Sequence, residues 1–177
     1  MLDRQSIGDR ISKVSTLGET NKIESGNDCS YLIFSKKIDE TDRSVDIAFS
    51  AKEEDGKMFF DKSISPYVSM YFPTETESKL NFIVQAPFDL TPNRSSLEKD
   101  SDYNIKLIKL LTELFVEALL EIKDRKWLSL EFINLLPYDS SNPVYAPNWH
   151  FYAFHTKVLK MIMREEIIPA IDGSYVK

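Results

Sequence analysis

The run Tyr71–Leu97, YFPTETESKLNFIVQAPFDLTPNRSSL, decides how the chain is read. Inside it Leu80, Phe82, Val84 and Ala86 alternate with Asn81, Ile83 and Gln85. That is the two-residue period of a strand buried on one face and partly on the other. Pro87 has no N–H to donate, so ladder pairing stops there. A polar loop follows, holding Asp89, Thr91, Pro92, Asn93, Arg94, Ser95 and Ser96. Loops carried by rigid elements often bear function, so this loop is the first place to look for a site.

Downstream, Tyr103, Leu107, Ile108, Leu111, Leu114, Phe115, Ala118, Leu119 and Ile122 recur every three or four residues. The spacing predicts a long amphipathic helix, capped by Ser101 or Asp102, with Lys106, Lys109, Glu113, Glu117 and Glu121 outward. A shorter helix is expected over Trp127–Leu136 and a last one over Trp149–Ile168, stopped at Pro169. Between them Pro137, Pro143 and Pro147 mark an extended linker.

Upstream, Tyr31–Lys37 and Ser44–Lys52 alternate and predict an antiparallel hairpin, with Asp39–Arg43 as its turn. Asp55-Gly56 is a second turn signal, leading to a strand or loop over Lys57–Phe60. Tyr67–Phe72 reads as a fourth strand ended by Pro73, Thr74–Lys79 as a charged turn, and Leu80–Ala86 as a fifth strand. At the start, Ile7, Ile11, Val14 and Leu17 fall at helical spacing before Gly18, which predicts a short helix over Ser6–Leu17. Glu19–Asp28 reads as loop. The expected class is α+β: a mixed, mainly antiparallel sheet covered on one face by the long helix, with further C-terminal helices. Residues 1–29 are taken as an N-terminal helix and linker, and residues 30–177 as the domain.

Composition narrows the function. A chain of 177 residues with 42% apolar and 12% aromatic side chains can build one core. A formal charge of -6 argues against binding nucleic-acid backbones, which need clustered cations. Cys29 is the lone cysteine, so no intrachain disulfide forms, which fits a reducing, cytoplasmic setting. No run has the length of a membrane span. His150 and His155 are five apart and do not share a helix face as an i,i+4 metal pair does, so no metal site is expected. The carboxylate pairs Glu53-Glu54 and Glu165-Glu166 are adjacent and point apart, unlike a general acid–base couple. Five glycines leave no phosphate-cradling loop.

The pieces YFPT, LNFIVQAPF, DLTPNR, the helix start with Asn104 and LLPYD at Leu135–Asp139 come in a defined order. That order resembles the segment after the nucleotide-binding domain in sacsin-type and NO VEIN-type proteins of the GHKL ATPase superfamily. The resemblance implies a transducer-like, or middle, domain that is non-catalytic on its own and belongs to a chaperone-like machine. The N-terminal helix would then be the junction with a nucleotide-binding domain. ATP and Mg would be held by that neighbouring domain, in cis or in trans, and a homodimer is a further assembly to consider. In such machines the second domain sends a loop cation to the nucleotide's terminal phosphate, where it stabilises developing charge. The implied candidates are Arg94 and Lys99. In the chaperone branch the cation stands about two positions further on, where this chain has Ser96.

Other readings stand beside this one. Arg94 pairing with Asp89 inside the loop would make it structural. Gln85, Asn93 and Asn104 read as loop supports that donate to backbone carbonyls. The cluster Tyr145, Trp149, Phe151, Tyr152 and Phe154 is too dense for one helix to bury. Tyr145, Trp149 and Tyr152 are therefore interface candidates. A stand-alone interaction module with no nucleotide role is the alternative function, and a small enzyme using the Asp89–Ser96 loop is a third.

Overall fold

Strict alternation builds the first half of the chain, and the three-and-four spacing builds the second. The computed structural model describes residues 2–8, 11–16, 30–39, 41–62, 67–139, 141, 147, 149–164, 167–170 and 174–176. Ten strands and three helices lie within them: β1 Leu2–Gly8, β2 Ile11–Thr16, β3 Ser30–Lys37, β4 Ser44–Glu54, β5 Lys57–Asp61, β6 Tyr67–Met70, β7 Phe72–Glu77, β8 Ile83–Gln85, α1 Asp102–Asp124, α2 Leu130–Ile133, α3 Tyr152–Arg164, β9 Ile168–Pro169 and β10 Tyr175–Val176. The class is α+β. Eight strands form one sheet in the order β1-β2-β3-β4-β8-β6-β7, with β5 also pairing β4, and its pairs are antiparallel except β6 with β8. β9 and β10 form a separate two-stranded ribbon.

The sheet is apolar on one side for a reason visible in its register. Leu32 and Phe34 of β3 face Phe49 and Ile47 of β4, and all four are buried, as is Val84 of β8 opposite Ile47. Helix α1 covers this side with Leu107, Leu111, Leu114, Phe115, Ala118, Leu119 and Ile122. Phe115 stacks on Phe82 with ring centres 5.3 Å apart and planes 14° apart. Phe49 sits at the middle, its ring 5.1 to 6.3 Å from those of Phe34, Phe60, Phe82 and Phe132. Such ring pairs contribute about 0.5–1.5 kcal/mol each beyond the area they bury. Across the outer edge of this layer Lys36 of β3 reaches α1, its Nζ 2.7 Å from Glu117 and 3.7 Å from Glu113.

Several expectations are corrected. The described residues among 6–16 form no helix. β1 and β2 pair as a hairpin, and β2 continues the sheet with Ile11 opposite Phe34 and Ser12 opposite Ile33. A helix that short is marginal alone, and the open edge of β3 gives β-branched Ile11 and Val14 ladder partners instead. Leu17, Gly18 and the loop to Cys29 lie outside the described residues. Pro73 does not end the strand region. Tyr71, with φ of 61°, reverses the chain so that Met70 pairs with Phe72, and β7 runs through Pro73 and Thr74–Glu77. Proline is tolerated there because β7 lies at the end of the sheet. The predicted strand over 80–86 shortens to three residues, the helix over 127–136 to Leu130–Ile133, and the last helix ends at Arg164 rather than at Pro169, which belongs to β9.

Candidate functional site

The loop after β8 is a closed, self-bonded hairpin. Leu90 and Leu97 bridge its base, and the Thr91 N–H donates to the Ser96 carbonyl at 2.9 Å. Its tip is the turn Thr91-Pro92-Asn93-Arg94, closed by the Arg94 N–H donating to the Thr91 carbonyl at 2.7 Å. Pro92 suits the first central position of such a turn because its φ is already set. Asn93 locks the tip as an acceptor: its Oδ1 takes hydrogen bonds from the Thr91 hydroxyl (2.7 Å), the Ser95 N–H (3.2 Å) and the Ser95 hydroxyl (3.1 Å). The chain leaves the turn through Arg94 itself, held at φ 59° in the left-handed region that non-glycine residues visit rarely.

Two neighbours brace this hairpin. Asn104, buried on the first turn of α1, donates to the carbonyls of Asp89 (2.9 Å) and Glu98 (3.0 Å) and accepts from the Asp89 N–H (2.8 Å). The Ser101 hydroxyl donates to the Asp89 carboxylate (2.7 Å) and accepts from the Asn104 N–H (3.1 Å), so helix cap and loop base are one network. On the outer flank, the Glu75 N–H donates to the Ser95 carbonyl (2.6 Å) and the Leu97 N–H to the Thr76 hydroxyl (2.9 Å).

The expected site residues separate on this frame. Asn93 and Asn104 hold the loop, Asn104 as a donor to carbonyls and Asn93 as an acceptor. Gln85 does not: its amide donates to Asp46 on β4 at 3.2 Å, on the sheet face away from α1. Strand alternation turns it there, away from the loop. Asp89 bonds Ser101, and the Arg94–Asp89 pair is absent. Arg94 and Lys99 are both exposed, and among the described residues neither makes an ion pair.

Of the aromatic cluster, Phe151 and Phe154 are fully buried in the core. Trp149 is half-buried, and its indole N–H donates to the Ser78 carbonyl at 3.0 Å. Tyr152 is exposed, and Tyr145 lies outside the described residues. His155 is buried, with Nδ1 2.6 Å from the Pro137 carbonyl, whereas His150 is exposed. Among the described residues no cluster of three or more His, Cys, Asp or Glu side chains could hold a metal ion, and no helix is long and apolar enough to cross a membrane.

The sequence reading passed over Tyr71 and Phe72, which are 66% and 78% exposed at the β6–β7 reversal. Two adjacent aromatics in one strand cannot both face the core, and that was the available signal. Ser95 bonds Glu75, and Leu97 bonds Thr76, so loop and strand advance in the same sense. Arg94 precedes Ser95 directly, so it too lies beside β7. The exposed cation and the exposed aromatics thus share one end of the sheet.

Comparison of the chain with protein-family models, curated proteins and solved structures finds no match.

Proposed function

We propose that this domain is the non-catalytic middle segment of a GHKL-type ATPase, relaying the state of a nucleotide held by a neighbouring domain. In this reading Arg94 reaches the terminal phosphate of that nucleotide, with Lys99 as the second candidate. One observation carries the proposal: the Arg94 guanidinium is exposed and without an ion pair among the described residues, on a turn whose backbone is fixed on three sides. A positioned cation of this kind stabilises charge on transferring phosphoryl oxygens without having to reorganise first. The resemblance of the loop and its flanking strand and helix to the sacsin and NO VEIN type supplies the partner, and ATP with Mg would be bound by that partner.

The test is Arg94→Ala in a chain that includes the nucleotide-binding domain. ATPase turnover should fall by about a hundredfold, the usual cost of removing a positioned charge donor. An unchanged rate removes the proposal. The 177-residue chain alone should hydrolyse no ATP above background.

A second reading, an interaction module with no nucleotide role, draws on the exposed pair Tyr71 and Phe72, since aromatic side chains with a nearby arginine are the usual anchors of protein interfaces. Under it, Phe72→Ala abolishes partner binding and Arg94→Ala leaves turnover untouched.

A further inference from the structure

The side of the sheet away from α1 carries a second feature, unconnected with the Arg94 turn. Register aligns two rows of side chains across β3, β4 and β8. Ile33, Ala48 and Ile83 form an apolar row, since Ile33 pairs with Ala48 and Ala48 with Ile83. Ser35, Asp46 and Gln85 form a polar row beside it. Directly paired residues project to the same face, so both rows look outward from the helix-covered side. With the β3–β4 turn as a wall they bound a cavity of about 820 Å³, within the size range of small-molecule sites. Ala48 between two isoleucines makes a notch in its floor.

The charge of the lining is unbalanced. Asp39, Asp42 and Asp46 line the cavity, and among the described residues none of them makes an ion pair. Of the two lysines in the wall, Lys36 turns its ammonium to Glu113 and Glu117 on α1, which leaves Lys37 alone. Asp46 is held in place by neutral donors: the Ser44 hydroxyl at 3.1 Å and the Gln85 amide at 3.2 Å. Asp46 is half-buried and, among the described residues, has neutral donors and no ammonium or guanidinium on its carboxylate.

A separate observation lies on the same face. The apolar row continues onto β2 with Ser12, paired to Ile33. Ser12 is 6% exposed and its hydroxyl has no hydrogen-bond partner among the described residues. Buried orphan hydroxyls are uncommon, but Ser12 is not among the residues that line the cavity, and the site does not draw on it.

We propose that this cavity binds a small organic cation, a primary amine carried on an apolar frame. The ammonium sits on Asp46 and the frame lies over the Ile33–Ala48–Ile83 row. Two strand spacings, roughly 10 Å, separate Ile33 from Ile83, which suits a ring with a short side chain. The site lies on a different face from the Arg94 loop, so neither proposal depends on the other.

The experiment is a titration of the full chain, followed by calorimetry and backbone NMR, with tryptamine, phenethylamine and agmatine, and with indole-3-propionate as an anion of matching shape. Saturable binding of at least one amine is expected, with shift changes confined to β3, β4 and β8 and no binding of the carboxylate. Asp46→Asn keeps the side-chain size and one acceptor oxygen and removes the charge, and should weaken binding roughly tenfold or more. Ala48→Leu should block it by filling the notch, while circular dichroism and the thermal midpoint show that both variants fold. The proposal is overturned if no amine binds at millimolar concentration, if the carboxylate binds equally well, or if Asp46→Asn binds as tightly as the parent.

Discussion

Asn104 grips Asp89 from both sides, donating to its carbonyl at 2.9 Å while accepting from its N–H at 2.8 Å. One buried side chain on the first turn of α1 thereby does what a ladder partner would do for the base of the loop, and its remaining donor satisfies the Glu98 carbonyl. Asn104→Ala leaves the Asp89 N–H and the Glu98 carbonyl unpaired, while the Asp89 carbonyl keeps the Glu98 N–H at 3.0 Å, and should lower unfolding free energy by about 2–3 kcal/mol in urea titration. Asn104→Asp keeps the acceptor but turns an anion on two carbonyls, so it should cost at least as much. A loss below about 0.5 kcal/mol for both would show that water replaces the network.

Arg94 behaves differently because its side chain holds nothing together. Arg94→Gly relieves a left-handed backbone and removes no described contact, so stability should stay within about 1 kcal/mol of the parent. Arg94→Val, β-branched at the same φ, should lose about 1–2 kcal/mol. If Arg94→Gly lost more than Arg94→Val, the guanidinium would be a structural tie, and its availability to a phosphate would go with it.

The aromatic centre sets the cost of opening the core. Phe49→Ala removes a fully buried ring that touches four others, and should lose about 3–5 kcal/mol. Phe59 lies on β5 of the same sheet but is exposed, so Phe59→Ala should stay within about 0.5 kcal/mol. Thermal or urea unfolding of the two variants, made side by side, separates the packed face from the open one.

At the end of the segment after α2, the Ser141 hydroxyl and N–H both donate to the Asp139 carboxylate, at 2.6 and 2.9 Å, and hold its pKa below the ordinary 3.8. A depressed carboxylate contributes stability above its unfolded pKa, and that contribution is lost as pH falls through the folded value. Ser141→Ala should therefore move the Asp139 carboxyl titration upward in NMR, toward 3.8, and remove the hydroxyl's share of that stabilisation at neutral pH but not at a pH low enough to protonate the carboxyl in both states. A titration curve unmoved by the substitution would place the cause elsewhere.

The sequence was legible where a single period dominated. The 20-residue helical stripe and the alternating Tyr31–Lys37 and Ser44–Lys52 strands appear as α1, β3 and β4, with Ser101 as the cap. It misled where short segments fitted two periods. Ile11 and Val14 satisfy a helix spacing, but the free edge of β3 decided the matter, and a neighbouring strand is invisible to local pattern. Pro73 was read as a stop because position in the sheet cannot be seen from one segment. At the site, Asn93 and Asn104 were legible as loop supports from residue type, but Asn93 accepts where it was expected to donate, because the turn brings Thr91 and Ser95 to its oxygen. The direction of Gln85 depended on which face of β8 the helix covers, and the exposure of Phe72 depended on a one-residue reversal at Tyr71.

Pro73 has a further effect. It lies in the last strand of the sheet, where a free ladder of N–H groups would invite another chain to add itself. Proline supplies no such group at its position, and the Glu75 N–H is already committed to Ser95. On that margin the molecule resists strand-by-strand polymerisation of the amyloid kind.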